Sequence, residues 1–365
     1  MATAPQNHSP LNLEADVVSL TRDICDIESV SGNEKALADA IENALKPYSH
    51  LEVIRDGDAI VARTNLGRDS RVLIAGHIDT VPVANNLPVQ MLSMEREQVL
   101  YGRGTVDMKA GVAVQLKLAA TLSEPTSDVT YIFYDHEEVE ASKNGLGRLA
   151  KNHPQLLAGS FAVLCEPTAA QVEGGCNGTM RVELIFKGVK AHSARPWMGK
   201  NAIHGAATTL QNLSSYEPAE VEVDGLIYRE SLNAVLIQGG IATNVIPDDC
   251  KITVNYRFAP SKSAAEAEAH LREVFSGIEL LVVDVAEGAR PGLDRPEAQA
   301  FLAATNSQAR PKYGWTDVAR FSALGIPAVN FGPGDPSKAH ADDEAVPVNQ
   351  IYACESALRA WLSVG

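Results

Sequence analysis

Short apolar runs alternate with amphipathic stretches through the first half of the chain, and three of the runs end abruptly in acids or histidines. Arg71-Val-Leu-Ile-Ala-Gly leads into His77 and Asp79, Val129-Thr-Tyr-Ile-Phe-Tyr into Glu137 and Glu138, and Ser160-Phe-Ala-Val-Leu-Cys into Glu166. Apolar runs of this length, rich in β-branched and aromatic residues, read as buried strands. They predict strands near 52–54, 59–64, 71–76, 129–134 and 160–165. Helical periodicity marks 13–27, 33–46 and 108–122, and Ser31-Gly-Asn-Glu34 has the spacing of a capping box with Ser31 as N-cap. This order implies a mostly parallel or mixed sheet with helices on its faces.

After Gly174-Gly-Cys-Asn-Gly178 the pattern changes. Strand 181–187, helix 199–213, strands 234–240 and 251–257, helix 262–275 and strand 279–285 follow in β-α-β-β-α-β order, which is ferredoxin-like. Beyond Gly288-Ala-Arg-Pro-Gly292 the helix–strand alternation resumes, with a strand at 326–331 and a closing helix near 348–363. The expectation is an α/β protein in which residues 1–178 and 293–365 form one domain and 179–292 form an inserted α+β domain. The glycine-rich joints at 174–178 and 288–292 are plausible hinges.

At 365 residues the chain exceeds one average core, in keeping with two domains. A formal charge of −15 argues against nucleic acid or an anionic membrane surface as partner, since both select clustered Lys and Arg. It leaves small anionic substrates open, because they sense only the local field. Met1-Ala-Thr-Ala-Pro-Gln-Asn-His-Ser-Pro lacks a basic segment followed by an apolar one, and no apolar run approaches the ~18 residues of a membrane span. The expected compartment is the cytoplasm. Cys25, Cys165, Cys176, Cys250 and Cys354 are widely spaced, with no Cys-x-x-Cys pair, and read as reduced core thiols.

The acids change the picture most. In open α/β sheets ligands bind beyond the carboxyl ends of the strands, where His77, Asp79, Glu137, Glu138 and Glu166 all fall. Asp107, in Tyr101-Gly-Arg-Gly-Thr-Val-Asp107, and His340, in Asp335-Pro-Ser-Lys-Ala-His340, have the same character. So many carboxylates in one cleft repel one another unless divalent cations compensate them. Imidazole and carboxylate donors without a thiolate set suit catalytic zinc, with cobalt or manganese as substitutes. Two such metals sharing a bridging carboxylate acidify water and polarise a carbonyl, which is the equipment for amide hydrolysis. In His77-Ile-Asp79 the two side chains point the same way on a strand end, so Asp79 is placed to fix the tautomer of His77. In Glu137-Glu138 one acid would bind metal and the other act as general base. Each signal alone has a plainer reading: a hydrogen-bonded turn for His-x-Asp, a solvated helix start for Glu-Glu. Gly102-Arg-Gly104 looks like a phosphate loop but lacks its spacing and its Lys-Ser/Thr.

Taken together, Ala75-Gly-His77-Ile-Asp79-Thr-Val-Pro82, Gly102-Arg-Gly-Thr-Val-Asp107-Met-Lys-Ala-Gly111, Glu137-Glu138 and Cys165-Glu166-Pro-Thr168 resemble the dizinc aminoacylase and carboxypeptidase family. The resemblance spans nearly the whole chain. It implies His77 and Glu166 as ligands of one zinc, Glu138 and His340 of the other, Asp107 between them, Glu137 as general base and Asp79 behind His77. It likens the inserted domain to the family's lid and dimerisation domain, hence a homodimer in which His192, in Ala191-His192-Ser-Ala, stabilises the oxyanion across subunits. Gly314-Trp-Thr-Asp-Val-Ala-Arg320-Phe, Ala328-Val-Asn-Phe-Gly-Pro-Gly-Asp335 and Asp224-Gly-Leu-Ile-Tyr-Arg-Glu230 resemble the family's actinobacterial desuccinylase branch. That implies hydrolysis of carboxylate-rich N-succinyl-L,L-2,6-diaminopimelate to succinate and L,L-diaminopimelate, with acetylornithine deacetylase or dipeptidase activity as the alternative. Asn244, Arg257, Thr316 and Arg320 match substrate-binding positions, and arginine's planar fork suits carboxylates. Cys176 and Asn177 stand where Gram-negative relatives carry arginines, and Arg195 stands in place of a tyrosine, so one carboxylate contact is expected to be made differently, with Arg195 as its candidate.

Overall fold

The predicted strands assemble as neighbours in one sheet. A computed structural model of the protein describes residues 10–94 and 97–363. The stretch Met1–Ser9, on which the expected lack of a leader partly rests, lies outside the described residues. The first of two units runs to Gly174 and resumes over Gly292–Arg310 and from Arg320 onward; the second comprises Gly175–Pro291 and Pro311–Ala319. The alternation pattern places 311–319 with the first part, yet Lys312 O accepts from Asn177 N at 3.2 Å and Thr316 O from the Cys176 thiol at 3.7 Å. Those bonds tie the segment to the second unit.

The sheet of the first unit runs Glu52–Asp56, Ala59–Arg63, Asp128–Tyr134, Arg71–His77, Phe161–Leu164, Ala328–Asn330, Glu173–Gly174, and ends with a short strand that begins at Arg310. Its four central strands are parallel and in register, with His77 opposite Tyr134, Ala75 opposite Leu164 and Leu164 opposite Asn330. Every residue of Asp128–Tyr134 is buried, as expected for a parallel strand covered on both faces. Lys109–Thr121 is a core helix, buried at all but a few positions, and it begins two residues after Asp107. The mixed sheet is therefore as the sequence implies, and its parallel strands bring their carboxyl ends to one edge.

Two local expectations differ. Ser31 does not cap the second helix, which begins at Lys35 without a side-chain cap. Its hydroxyl donates to Asp79 Oδ2 at 2.6 Å instead, and Glu34 Oε1 accepts from Gly32 N at 2.9 Å. A capping box does form at Ser263 and Glu266, which start the helix Ala264–Val274. Absent from the sequence reading is a small sheet of Gln90–Met94, Glu97–Tyr101 and Ala345–Pro347, whose outer strand is largely exposed and carries no buried stripe. It places Ala345 opposite Tyr101 and so brings the loop after His340 beside the loop before Asp107.

In the second unit Gly178–Lys187, Ser231–Gly239, Asp249–Phe258 and Glu279–Ala286 form an antiparallel sheet in spatial order second, third, first, fourth, the ferredoxin-like arrangement. Alternate residues Met180, Val182, Leu184 and Phe186 face a core shared with Ile252, Val254, Tyr256 and Leu271. The helix expected over 199–213 is split into Ala202–Gly205 and Ala207–Ser214. Among the described residues no helix is long and apolar enough to cross a membrane.

Gly111 and Gly332 both press against the backbone that carries Glu166: a Cβ on either would lie 2.3 Å from Cys165 O. Gly332→Ala is expected to destabilise the protein by ~1–3 kcal/mol through overpacking. Gly205→Ala, where nothing lies within 4 Å, should leave the denaturant midpoint unchanged or slightly raised. Equal midpoints for the two variants would contradict the close approach.

Candidate metal centre

The donors named from sequence converge at the carboxyl edge of the parallel strands. His77, the last residue of its strand, has Nε2 3.0 Å from Asp107 Oδ1. Its Nδ1 lies 3.0 Å from the Asp79 carbonyl oxygen and 3.4 Å from Asp79 Oδ1. On the other side of Asp107, Oδ2 is 3.4 Å from His340 Nε2, which also sits 3.0 Å from the Glu138 carboxylate. Two groups of potential ligand atoms, each within 4.8 Å of one another, share Asp107: His77 with Asp107 and Glu166, and Asp107 with Glu138 and His340. A third comprises His77, Glu137 and Glu138.

Asp79 is fully buried and does more than face His77. Its Oδ1 accepts from Glu137 N and its Oδ2 from Glu138 N, both at 3.0 Å, while Ser31 donates to Oδ2. One carboxylate thus aims the strand-end histidine and grips the backbone of both glutamates. The chain can present those two amides together because His136 just before them is left-handed, at φ 57°. His136 N donates to buried Glu34 at 3.3 Å, and its ring lies 2.7 Å from Asp135, which Arg148 clamps at 2.6 and 3.0 Å.

Burial alone would keep the His77 ring neutral, but hydrogen bonds and charge from Asp107 and Asp79 outweigh it and hold its pKa well above the ordinary value. Hydrogen bonds to Asp107 and Glu138 raise His340 to about 10. Burial works to raise the Asp79 pKa, yet His77, Ser31 and the Glu138 amide bring it down to about 2. Asp107 is held far below the usual carboxylate range by His340 and His77 against the effect of burial. Without a cation, protons on the imidazoles supply the positive charge that the acids demand. A nitrogen and oxygen donor set that attracts positive charge this strongly fits divalent metal, and Cys165 stays outside it as a buried thiol whose pKa burial pushes up.

Residues that the sequence reading passed over complete the cluster. Ser31 and Glu34 had been explained as a cap. Glu344, almost fully buried, accepts from Val106 N at 2.8 Å and Asp107 N at 3.0 Å and so sets the Asp107 loop. In sequence it is the end of an acidic run, and only a lone buried acid beside Ala-Val-Pro could have drawn notice.

The remaining candidates are distributed between the units. In the second, the exposed His192 accepts from Ala194 N at 3.0 Å through Nδ1, and Ser193 N donates to Asn244 O at 2.9 Å, so His192, Asn244 and Arg195 share one loop cluster. Arg257, whose pKa burial lowers, donates through Nε to Asn255 Oδ1 at 3.2 Å. Thr316 is buried in the returning segment. Arg320 belongs to the first unit, where its guanidinium packs over Gly147.

A strand-end constellation of nitrogen and oxygen donors with one shared carboxylate is the architecture of a two-metal hydrolase. Residues 73–363 match the model of peptidase family M20/M25/M40, and the chain belongs to that family. It is 51% identical, over 96% of its length and 99% of the relative's, to a Mycobacterium tuberculosis protein provisionally named a succinyl-diaminopimelate desuccinylase. It is 46% identical, over 97% and 98%, to the succinyl-diaminopimelate desuccinylase of Corynebacterium glutamicum. Among solved structures it shares the fold of a Bacillus subtilis protein described as a dinuclear metal-binding peptidase of the M20 family, with a TM-score of 0.72, 16% identity and coverage of 96% and 97%.

Because the neighbouring acids raise the pKa of His77 and His340, protons compete with metal for the imidazoles, and affinity should rise with pH. Zinc titrated into metal-free protein at pH 7 should release about two protons, one from each imidazole. Calorimetry in buffers of different ionisation enthalpy reads the number. Release of none would show that both imidazoles are already neutral without metal and would overturn the raised pKa values of His77 and His340.

Proposed function

We infer that the protein hydrolyses N-succinyl-L,L-2,6-diaminopimelate to succinate and L,L-diaminopimelate, as the names of its 51% and 46% identical relatives suggest. The geometric observation that carries the hydrolytic reading is Asp107, whose two oxygens each face a different imidazole. In this reading His77 and Glu166 would hold one metal and Glu138 and His340 the other, with Asp107 common to the two groups. Imidazole and carboxylate donors without a thiolate set suit catalytic zinc, so we assign two zinc ions, with cobalt or manganese as substitutes. When bound, they would polarise the scissile carbonyl and acidify water.

Glu137 takes a proton from the attacking water and delivers it to the leaving amine. The bonds from the Glu137 and Glu138 amides to Asp79 support this division of labour, with Glu137 as base and Glu138 as metal ligand. His192 donates to the oxyanion of the tetrahedral intermediate. Arg257, Arg320, Asn244, Thr316 and Arg195 receive the substrate's carboxylates. Arg257 suits this because its only side-chain hydrogen bond among the described residues is through Nε, leaving both Nη groups for a ligand. Cys176 and Asn177 are buried, and Asn177 donates to Arg229 O at 2.8 Å, so neither stands in for the arginines of Gram-negative relatives. The compartment we assign is the cytoplasm.

The homodimer we assign is supported by the edge strand Ser231–Gly239, which exposes Val235, Leu236 and Ile237. An uncovered apolar edge invites pairing with another strand. Charge placed there, as in Leu236→Glu with Ile237→Lys, should yield a monomer by sedimentation. Its metal content should be unchanged and its turnover lost; full turnover by a monomer would exclude a residue supplied by the partner subunit.

The deciding experiment compares turnover of zinc-loaded protein on N-succinyl-L,L-diaminopimelate and on N-acetylornithine. A large preference for the succinyl compound is expected, whereas activity on the acetyl compound alone would move the protein to a sibling amidohydrolase. Glu137→Gln should lower kcat by roughly 10²–10⁴-fold with metal equivalents unchanged. Turnover comparable to wild type would take the base role away from Glu137.

A further inference from the structure

We propose that Arg103 is a positioning residue that fastens the His340 half of the metal centre to the Asp107 half. The proposal rests on the two-metal reading above. Arg103 comes from Gly102-Arg-Gly104, the motif that looks like a phosphate loop and that the hydrolytic reading leaves without a role. Its side chain is 3% exposed, so it does not meet substrate from solvent.

The guanidinium is spread over three segments that each carry site residues. Nε donates to Pro82 O at 3.0 Å, in the loop that follows His77 and Asp79. Nη1 donates to Ala341 O at 3.0 Å, next to His340, and to Glu344 Oε2 at 2.9 Å. Through its other oxygen Glu344 holds the amides of Val106 and Asp107. One buried ion pair therefore joins the loop after His77, the loop that ends in Asp107 and the loop that bears His340. Arginine's planar fork makes this possible, because its donors sit on separate nitrogens, whereas a lysine ammonium offers its three from a single atom.

The two halves of the centre depend on this clamp unequally. His77 sits in the strand ladder, and Glu166 follows a buried strand pressed by Gly111 and Gly332. His340 is half exposed and left-handed at φ 63°, in a loop whose exposed Lys338–Asp343 ion pair contributes little. Asn86 Nδ2 and Tyr101 Oη donate to Asp342 O at 3.3 Å, and the shorter bond from Arg103 holds the carbonyl adjacent to His340. Loss of the clamp should weaken the group of Asp107, Glu138 and His340 and spare that of His77, Asp107 and Glu166.

The test uses metal-free full-length protein and Arg103→Lys, which keeps the charge facing Glu344 but loses the fork. Should that variant fail to fold, Arg103→Met combined with Glu344→Gln removes both charges of the buried pair together and is read in the same way. Calorimetric titration with zinc ion should show one of two equivalents weakened by roughly 10–100-fold, the range for outer partners of ligands, and the other unchanged. Amide hydrogen exchange in the metal-free variant should accelerate over 339–344 and stay unchanged over 73–77. Equal weakening of both equivalents would mark a general structural role and overturn the proposal, as would unchanged exchange over 339–344. A wild-type protein that takes up fewer than two zinc ions would count against the two-metal reading, while the exchange comparison still decides the clamp.

Discussion

Crowding of negative charge at one edge of a parallel sheet is the constraint around which the first unit is arranged. Parallel strands in register deliver their carboxyl ends together, and here those ends carry His77, Glu137, Glu138 and Glu166, with Asp107 brought alongside. Like charges held this close must be neutralised or pushed apart. The protein does part of this by itself. Asp79 accepts from two amides and a hydroxyl, Glu344 from two amides and Arg103, and one oxygen of Glu34 from the amides of Gly32 and His136. The donor set itself draws positive charge, raising the pKa of His77 and His340, and that demand makes the place selective for cations.

Much of this was legible in the chain because strand ends are marked by a change of residue class. The runs before His77, Glu137 and Glu166 are apolar because both faces of their strands are covered, and the first polar residues after each run had to fall at the sheet edge. Asp107 and His340 were legible by residue type and by motif rather than by periodicity, since both lie in loops. The supports were not legible. Ser31 and Glu34 have the spacing of a capping box, and sequence alone does not show that a serine hydroxyl will prefer an aspartate far along the chain to the amides of its own helix. Glu344 and Arg103 are charged residues that a composition-based reading assigns to solvent, and only the pairing of Tyr101 with Ala345 makes their burial affordable.

The second unit was legible for a different reason. Its first strand, Gly178–Lys187, alternates strictly, because only one face packs on helices. A period of two fixes which residues look outward, so Arg257, Asn255 and Arg181 share the polar face by register alone. The returning segment 311–319 escaped because it has no periodicity. It is held by a backbone bond from Asn177 and by the Cys176 thiol, both of which end on main-chain carbonyls that any sequence could offer.

The small sheet that pairs Glu97–Tyr101 with Ala345–Pro347 also bears on the order in which the protein can become competent during synthesis. His77, Asp107 and Glu166 all leave the ribosome before the inserted unit begins, and domains generally fold as they emerge. His340 reaches Glu138 across 202 residues, and Glu344 reaches Arg103 across 241. A nascent chain can therefore assemble one cluster of donors early, but the shared carboxylate gains its second set of neighbours only when nearly the whole chain has been made. Such an arrangement keeps incomplete chains from carrying a finished hydrolytic centre.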